Sequence, residues 1–400
     1  MSQSFCLYNG NVLTSFAVME DCAVYVKDGH IADVFSEKRF KEKKFAPHVE
    51  LIDVNGAYIA PGLIDTHIHG FCGFGTDDAS TDSVLEMSKA LVSRGVTAFN
   101  PTLYPTPGDE MIEAVRQVAN AIGNEEGAKI MGLHLEGPFL SPSKLGVQLP
   151  ETLQPVTIEY MERLFAASFG DSSQGHIVNM TVAPELKGMR ELALYCIKKG
   201  IILQAGHTDA RYENMVEGMQ AGILHTTHLF NAMSRLDHRN PNAVGAVLIH
   251  PEISCEIIAD GRHVHPDLFT LLRRDKPVDK IVLITDGLKP TEQQEGPLFA
   301  NGEEVVWEDG LFKRKTDGII AGSGLTMIRG VSNLVSFGFS LEDAVRCATF
   351  NPAQVMRYRN KGAIVPGYDA DITVFKDKDD DSGEFDVQLT VVDGEIKYRA

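Results

Sequence analysis

Histidine and carboxylate side chains recur at the ends of short apolar runs along the 400-residue chain. The first of these runs ends in a His-x-His pair, and alternate residues of a strand point to the same side. The full set is His67, His69, Glu136, His207, His228 and Asp286. Imidazole nitrogens, together with a carboxylate that can bridge two ions, are ligands that Zn²⁺ and Fe²⁺ take. The sequence therefore predicts a site for one or two divalent metal ions, with Zn²⁺ preferred and Fe²⁺, Mn²⁺ or Co²⁺ as alternatives.

Asp286 lies at the end of the last run, IVLITDG. An aspartate there could cap a helix, but its place in an otherwise apolar run favours a catalytic role. A metal ion lowers the pKa of bound water, and a nearby carboxylate can take the water's proton and return it to a leaving amine. Hydrolysis of an amide is the chemistry that this set could perform. Asp65, two residues before His67, could bind a metal ion or support that histidine.

The runs that carry these residues alternate with amphipathic helical segments. Eight strand-like runs lie at residues 59–70, 96–103, 129–138, 177–185, 201–208, 224–231, 254–261 and 280–287. Eight strand–helix steps within about 250 residues predict a (β/α)8 TIM-type barrel, whose active site lies at the C-terminal ends of the strands. A doubly wound sheet is the alternative, but no Gly-x-Gly-x-x-Gly follows the first strand.

Both ends of the chain differ from the middle, since they are rich in β-branched and aromatic residues and poor in helical periods. Hairpin turns are predicted at Asn9-Gly10, Asp28-Gly29, Asp309-Gly310 and Asp393-Gly394. Residues 1–58 and 362–400 are therefore predicted to form one small β-sandwich domain, with residues 59–361 as the catalytic barrel between them.

The composition excludes some classes of partner. There are 37 Lys and Arg against 55 Asp and Glu, a net charge of −18, which argues against nucleic acid or an anionic membrane as partner. Six widely spaced cysteines without a Cys-x-x-Cys pair predict reduced thiols. No signal-peptide pattern is present, and no apolar run approaches the ~18 residues that a membrane span needs. The expected location is the cytoplasm.

Seven segments of the chain together resemble the N-acetylglucosamine-6-phosphate deacetylases of the amidohydrolase superfamily: PGLIDTHIHG, LHLEGPFLSP, AGHTDA, HLFNAM, IADGRHVHP, LITDG and AGSGLTMIRG. The resemblance covers nearly the whole chain, and HLEGPF, HLFNAM and IADGRH are its most specific parts. The fourth strand reads NMTVAPE. It offers no lysine for the carboxylated-lysine bridge of dihydroorotase-like and urease-like relatives.

The resemblance implies a role for each matching residue. Glu136, His207 and His228 would bind the principal metal ion, and His67 and His69 would hold a second ion together with Glu136. Asp286 would act as general base and then as general acid. The implied substrate contacts are Val147, Gln148, Asn231, Ala232, Arg239, His263, Ile320, Ala321 and Gly322. Asn231 and Ala232 would contact the sugar, and Ile320 to Gly322 would close over the acetamide. Arg239 and His263 would hold the 6-phosphate by reaching across a homodimer interface into the neighbouring site.

Two residues depart from the family pattern. Gln148 stands where a histidine is usual, and Gly287 follows Asp286 where alanine is common. A glutamine amide donates a hydrogen bond but never as a cation, so stabilisation of an oxyanion would depend more on the metal. Gly287 loosens the turn after the eighth strand. These departures bear on the substrate more than on the reaction type.

The resemblance therefore implies a metal-dependent hydrolase that converts N-acetyl-D-glucosamine 6-phosphate to D-glucosamine 6-phosphate and acetate. The N-acetylgalactosamine 6-phosphate deacetylase, which differs at one hydroxyl of the sugar, is an alternative. A cyclic amide hydrolase is disfavoured by the missing lysine. A barrel that binds a sugar phosphate without turnover is a further alternative, which Gln148 would allow. The intact set with Asp286 favours the enzyme, because a binding module needs no general base.

Overall fold

The computed structural model of the chain describes residues 4–14, 16–380 and 382–400. Its first elements are β1 (Phe5–Leu13), β2 (Val18–Lys27), β3 (His30–Ser36), α1 (Glu37–Glu42), β4 (Glu50–Asp53) and β5 (Tyr58–Pro61). The predicted turn at Asp28-Gly29 joins β2 to β3. The turn predicted at Asn9-Gly10 is wrong, because both residues lie inside β1. There the register against β2 shifts by one residue, and Asn9 has a positive φ of 58°. The residues form a bulge, not a turn.

The barrel strands are those that the sequence predicts. The next strands are β6 (Leu63–Ile68), β7 (Gly70–Phe71), β8 (Phe74–Gly75), β9 (Val96–Leu103), β10 (Lys129–Ile130), β11 (Leu133–Glu136), β12 (Ile177–Val182), β13 (Ile202–Ala205), β14 (His225–Thr226), β15 (Ser254–Ile258) and β16 (Ile281–Ile284). All but β7, β8 and β10 form the parallel barrel in chain order. A parallel bridge between Ile68 and Gly287 brings β16 back to β6. The predicted barrel is thereby confirmed.

Helices cover the outside of the barrel. They are α2 (Thr81–Leu91), α3 (Asp109–Ala119), α4 (Ile158–Ala167), α5 (Met189–Lys198), α6 (Tyr212–Gln220), α7 (Asn242–Ile249), α8 (Pro266–Asp275), α9 (Met327–Ser336), α10 (Leu341–Ala348) and α11 (Phe350–Val355). The sequence analysis missed α7, because NAVGAVLI is apolar on all sides and shows no helical period. In the part of the chain that the structure describes, no helix is long and apolar enough to cross a bilayer.

A small antiparallel sheet follows the barrel and lies over its C-terminal end. Its strands are β17 (Phe299–Ala300), β18 (Glu303–Glu308), β19 (Leu311–Arg314) and β20 (Ile320–Gly322). The predicted turn at Asp309-Gly310 joins β18 to β19. Val305 and Phe312 of this sheet pack with Tyr104, which follows β9. This contact places β20 beside the ends of the barrel strands.

The two ends of the chain join in one sheet. The last strands are β21 (Ile372–Asp377), β22 (Phe385–Val392) and β23 (Glu395–Arg399). The strand order is β23-β22-β21-β5-β1-β2-β3, with β4 also beside β1, so that β5 connects the two terminal segments. A β-rich domain built from both termini is what the sequence predicts. The expected boundary between residues 58 and 59 falls inside β5.

Lys361, in the segment that leads from α11 to β21, forms ion pairs just before the terminal sheet begins again. Its Nζ lies 2.5 Å from the Oδ2 atom of Asp371 and 3.1 Å from that of Asp369. The side chains of Lys361 and Asp371 are only 7% and 4% exposed. Burial raises the pKa of Asp371, although Lys361 acts to lower it. The lysine is thus the counter-ion that keeps a buried carboxylate charged.

Replacing Lys361 by methionine should destabilise the fold, because the Asp371 carboxylate would remain buried without its counter-ion. Removing one partner of a buried ion pair costs about 3–5 kcal/mol. Chemical denaturation measures the free energy of unfolding, with Lys376→Met as control, since the Lys376 side chain is 47% exposed. A loss below about 1 kcal/mol, typical of a surface pair, would contradict this role of Lys361.

Candidate active site

A cavity of about 410 Å³ opens at the C-terminal ends of the barrel strands. Its lining contains most of the residues that the sequence singles out: His69, Glu136, Val147, Gln148, His207, His228, Asn231, Ala232, His263, Asp286, Ile320, Ala321 and Gly322. His67 is fully buried next to this lining. Arg239 is exposed and does not line the cavity. The structure therefore brings together the predicted metal set and every implied substrate contact except Arg239, while Asp65 accepts a hydrogen bond from Thr285 and belongs to neither cluster.

The histidines and carboxylates form two clusters. In each cluster the donor atoms lie within 4.8 Å of one another: Glu136, His207 and His228 form one, and His67, His69 and Asp286 form the other. Oε1 of Glu136 is 3.0 Å from His207 Nε2 and 3.1 Å from His228 Nε2. Its Oε2 is 3.4 Å from His69 Nε2. Glu136 thus faces both clusters, as a carboxylate that bridges two ions would.

Three of these side chains belong to residues with strained backbone conformations. His207, His228 and Asp286 follow the ends of β13, β14 and β16, and have φ angles of 46°, 25° and 49°. Such left-handed conformations cost about 1–3 kcal/mol for most residues and cluster at functional sites. The Asp286 turn is held by its backbone N–H, which donates to the carbonyl oxygen of His67 over 2.9 Å. The strand ends are therefore shaped to aim these groups at one point.

Each of three histidines has its Nδ1 atom beside an oxygen that can only accept a hydrogen bond. The pairs are His67 with Glu256 Oε2 at 3.0 Å, His69 with the Thr102 carbonyl at 3.0 Å, and His207 with the Lys144 carbonyl at 2.9 Å. Nδ1 therefore carries the proton, which leaves the Nε2 lone pair directed into the cluster. This is the arrangement of histidines that bind metal ions.

The electrostatics of the clusters favour a bound cation. The Nε2 atoms of His207 and His228 are 3.2 Å apart, and both face Glu136. Burial opposes a charge on His67, yet Asp286 and Glu256 raise its pKa to about 10. The carboxylates thus attract positive charge to a place closed to solvent. A divalent ion supplies that charge while the imidazoles stay neutral, so the donor set fits a metal.

Asp286 belongs to the second cluster and also lines the open cavity. Its Oδ1 is 3.4 Å from the Nε2 atoms of both His67 and His69, and its side chain is 11% exposed. Burial disfavours its charge, but His67 and His69 hold the pKa of this carboxyl below its usual value. The carboxylate is accessible from the cavity, as a general base must be.

The sequence analysis missed three residues of the site. Glu256 is fully buried on β15 beneath the clusters, and its signal was a single charge in the apolar run SCEII. Tyr104 stacks on His69, with ring centroids 3.8 Å apart and an angle of 5°. Arg235 is an exposed residue of the cavity lining. Neither Tyr104 nor Arg235 belongs to a recognisable pattern.

His263 lines the cavity of its own chain, and its expected reach into a neighbouring site stays a prediction. Its Nδ1 is 2.6 Å from Oδ2 of Asp260, and its backbone N–H donates to Oδ1 of the same side chain over 2.8 Å. Asp260 lies two residues after the end of β15, and these two contacts close the turn from Asp260 to His263. The Asp260 side chain thereby fixes the ring of His263 at the cavity wall.

Comparison with known proteins agrees with this geometry. Residues 58–397 match the family model described as the amidohydrolase family. The chain belongs to the amidohydrolase family. This amidohydrolase is 32% identical over 374 residues to the N-acetylglucosamine-6-phosphate deacetylase of Lysinibacillus sphaericus, with 93% of each chain covered. It is 32% identical over 405 residues to that of Bacillus subtilis (strain 168), which covers 100% of this chain and 98% of the relative.

A solved structure shows the same fold. The N-acetylglucosamine-6-phosphate deacetylase from Pasteurella multocida superposes with a TM-score of 0.89 at 27% identity, covering 99% of this amidohydrolase and 100% of that chain. The family resemblance of the sequence is confirmed, and so is the (β/α)8 barrel. Amidohydrolases of this family depend on metal ions, and the two clusters of this chain provide the donors.

Replacing Glu136 by glutamine should weaken metal binding, because Glu136 faces both clusters. The loss should exceed the about 10–100-fold in affinity that removal of an outer partner of a ligand costs. Zn²⁺ content after dialysis and Zn²⁺ affinity by chelator competition measure the effect. Glu151→Gln, at an exposed glutamate, serves as control. Retention of Zn²⁺ by the Glu136 variant at the affinity of the unmodified chain would contradict the assignment.

Proposed function

We propose that this amidohydrolase hydrolyses the acetamide of N-acetyl-D-glucosamine 6-phosphate to give D-glucosamine 6-phosphate and acetate. The observation that carries the proposal is Asp286, a carboxylate that belongs to one of the two clusters and also lines the open cavity. The full-length relatives reported above are deacetylases for this substrate. A module that only binds a sugar phosphate has no use for such a base, which favours the enzyme.

The chain's own residues move the proton. Glu136, His207 and His228 would hold a divalent ion, which would lower the pKa of water and polarise the acetyl carbonyl. Asp286 accepts a proton from the attacking water as the water oxygen bonds to the acetyl carbon. It then donates that proton to the nitrogen as the C–N bond breaks, so that the amine and acetate leave.

The two clusters support occupancy by two ions. His67 and His69, with Glu136 or Asp286, offer donors for a second ion beside the principal one. Zn²⁺ is the ion that we assign, because imidazole with carboxylate is a donor set that it favours. Fe²⁺, Mn²⁺ and Co²⁺ share these ligand preferences in part.

Gln148 lines the substrate cavity and also forms a hydrogen bond with the metal-binding residue Glu136. Its Nε2 donates to Oε2 of Glu136 over 2.9 Å, and the side chain is buried. While that hydrogen bond holds, the amide is not free to donate to the acetyl oxygen. Stabilisation of an oxyanion would then fall to an ion held by the clusters. Val147 and the segment Ile320 to Gly322 would enclose the acetamide from the other side of the cavity.

We place the 6-phosphate at the outer wall of the cavity. His263 offers its ring there, since Nδ1 is engaged by Asp260, and Asn231 with Ala232 would contact the sugar between the wall and the clusters. Arg239 lies on an exposed loop outside its own cavity. In a homodimer it would reach the neighbouring site, and a guanidinium is well suited to a phosphate.

A cytoplasmic location is part of the proposal. All six cysteines are free. Burial raises the pKa of Cys196 and of Cys255 to about 12, which keeps these thiols protonated and unreactive. Free thiols persist in a reducing compartment.

Acetate release should single out one substrate. Metal-reconstituted protein is offered N-acetylglucosamine 6-phosphate, its galactose epimer and the unphosphorylated sugar. We expect the highest kcat/KM for the first, and at least about a tenfold loss without the phosphate, since hydrogen bonds to charged groups contribute about 1.5–3 kcal/mol. Preference for the epimer would change the substrate but not the mechanism. Absence of cleavage with metal bound would leave only the binding function.

Substitution of Asp286 by asparagine should remove the proton carrier and keep the side chain's shape. General acid–base catalysis contributes about 10²–10⁴-fold, so kcat should fall by that factor while Zn²⁺ stays at Glu136, His207 and His228. Steady-state kinetics with metal analysis checks both, beside Asp279→Asn at an exposed aspartate. A kcat within about twofold of the unmodified chain would rule out Asp286 as general base.

A further inference from the structure

Glu256 is a buried carboxylate that the reaction itself does not use. It lies on β15, has no exposed surface, and is absent from the cavity lining. An uncompensated buried charge is costly in free energy. Neighbouring groups must therefore stabilise the charge of Glu256 by hydrogen bonds or opposite charge.

Both carboxylate oxygens of Glu256 have hydrogen-bond partners, and one of them contacts residues of both metal-binding clusters. Oε2 lies 3.0 Å from Nδ1 of His67, a residue of one cluster. The same oxygen accepts a hydrogen bond from the backbone N–H of His228, a residue of the other cluster, over 3.3 Å. Oε1 accepts from Nε2 of Gln204 over 3.2 Å. One carboxylate thus contacts a ligand of each cluster.

A directed chain of hydrogen bonds inside the barrel ends at this carboxylate. It runs from Tyr358 Oη to Asn100 Oδ1 (2.5 Å), from Asn100 Nδ2 to Asn179 Oδ1 (3.1 Å), from Asn179 Nδ2 to Gln204 Oε1 (3.1 Å), and from Gln204 Nε2 to Glu256 Oε1. Each amide accepts on one side and donates on the other. Because the last group can only accept, His67 must donate from Nδ1, and its Nε2 is left for a metal ion.

We propose that Glu256 is a positioning residue that couples the two metal positions. It orients the ring of His67 and holds the backbone of His228, whose φ of 25° needs support. The negative charge also strengthens His67 as a ligand. The inference rests on the proposed function only in taking the clusters to be metal sites. It predicts that a change at Glu256 weakens both positions together, although Glu256 binds neither ion.

The test measures metal binding in the full-length chain, with Co²⁺ and Zn²⁺ as probes. Glu256→Gln removes the charge and keeps the shape, and Glu252→Gln, at a side chain that is 63% exposed on the same segment, is the matched control. Chelator competition gives the dissociation constants, metal analysis gives the stoichiometry, and the Co²⁺ visible spectrum reports the ligand geometry. We expect two ions per unmodified chain, and about a 10–100-fold rise in both dissociation constants for the variant.

Three results would overturn the inference: a single ion in the unmodified chain, unchanged constants in Glu256→Gln, or a change at one position alone. A merely structural role would lower the thermal midpoint of the metal-free variant without changing its metal affinity. Gln204→Met, which removes the donor to Glu256 and touches no ligand, should change the affinities in the same direction by less. Acetate release by the unmodified chain tests the proposed function separately, because metal binding is measured without substrate.

Discussion

Three carboxylates buried within one small volume are the constraint on which the rest of the structure depends. The side chains of Glu136, Asp286 and Glu256 are at most 11% exposed and contact the same group of imidazoles. Negative charge in such a place is costly unless cations offset it. No lysine or arginine forms an ion pair with these three carboxylates among the described residues. The site therefore carries the excess of negative charge that is typical of a metal-binding centre.

The barrel solves the problem of bringing these groups together. Its parallel strands all end on one face, so residues far apart in the chain, such as His67 and Asp286, meet without long side chains. Left-handed backbone at His207, His228 and Asp286, just after β13, β14 and β16, directs these side chains inward. The antiparallel sheet β17–β20 then adds one wall of the cavity.

Features with a repeating sequence pattern could be predicted, whereas the positions of single residues that depend on their three-dimensional neighbours could not. The eight strands and the residues at their ends follow from alternation and apolar runs. Glu256 was missed because a single charge in a strand does not reveal which side chains surround it. The place of His263 at its own cavity wall could not be predicted, since it depends on the turn that Asp260 closes. Asn9-Gly10 has the residues of a turn, but pairing with β2 holds them in a bulge.

The central claim is that these clusters hold metal ions and that hydrolysis depends on them. The most direct test is to measure acetate release and bound metal in the same samples while a chelator is titrated. The account predicts that release from N-acetylglucosamine 6-phosphate falls in proportion to the metal removed and returns when Zn²⁺ is added. Full activity in protein that retains no metal would contradict it.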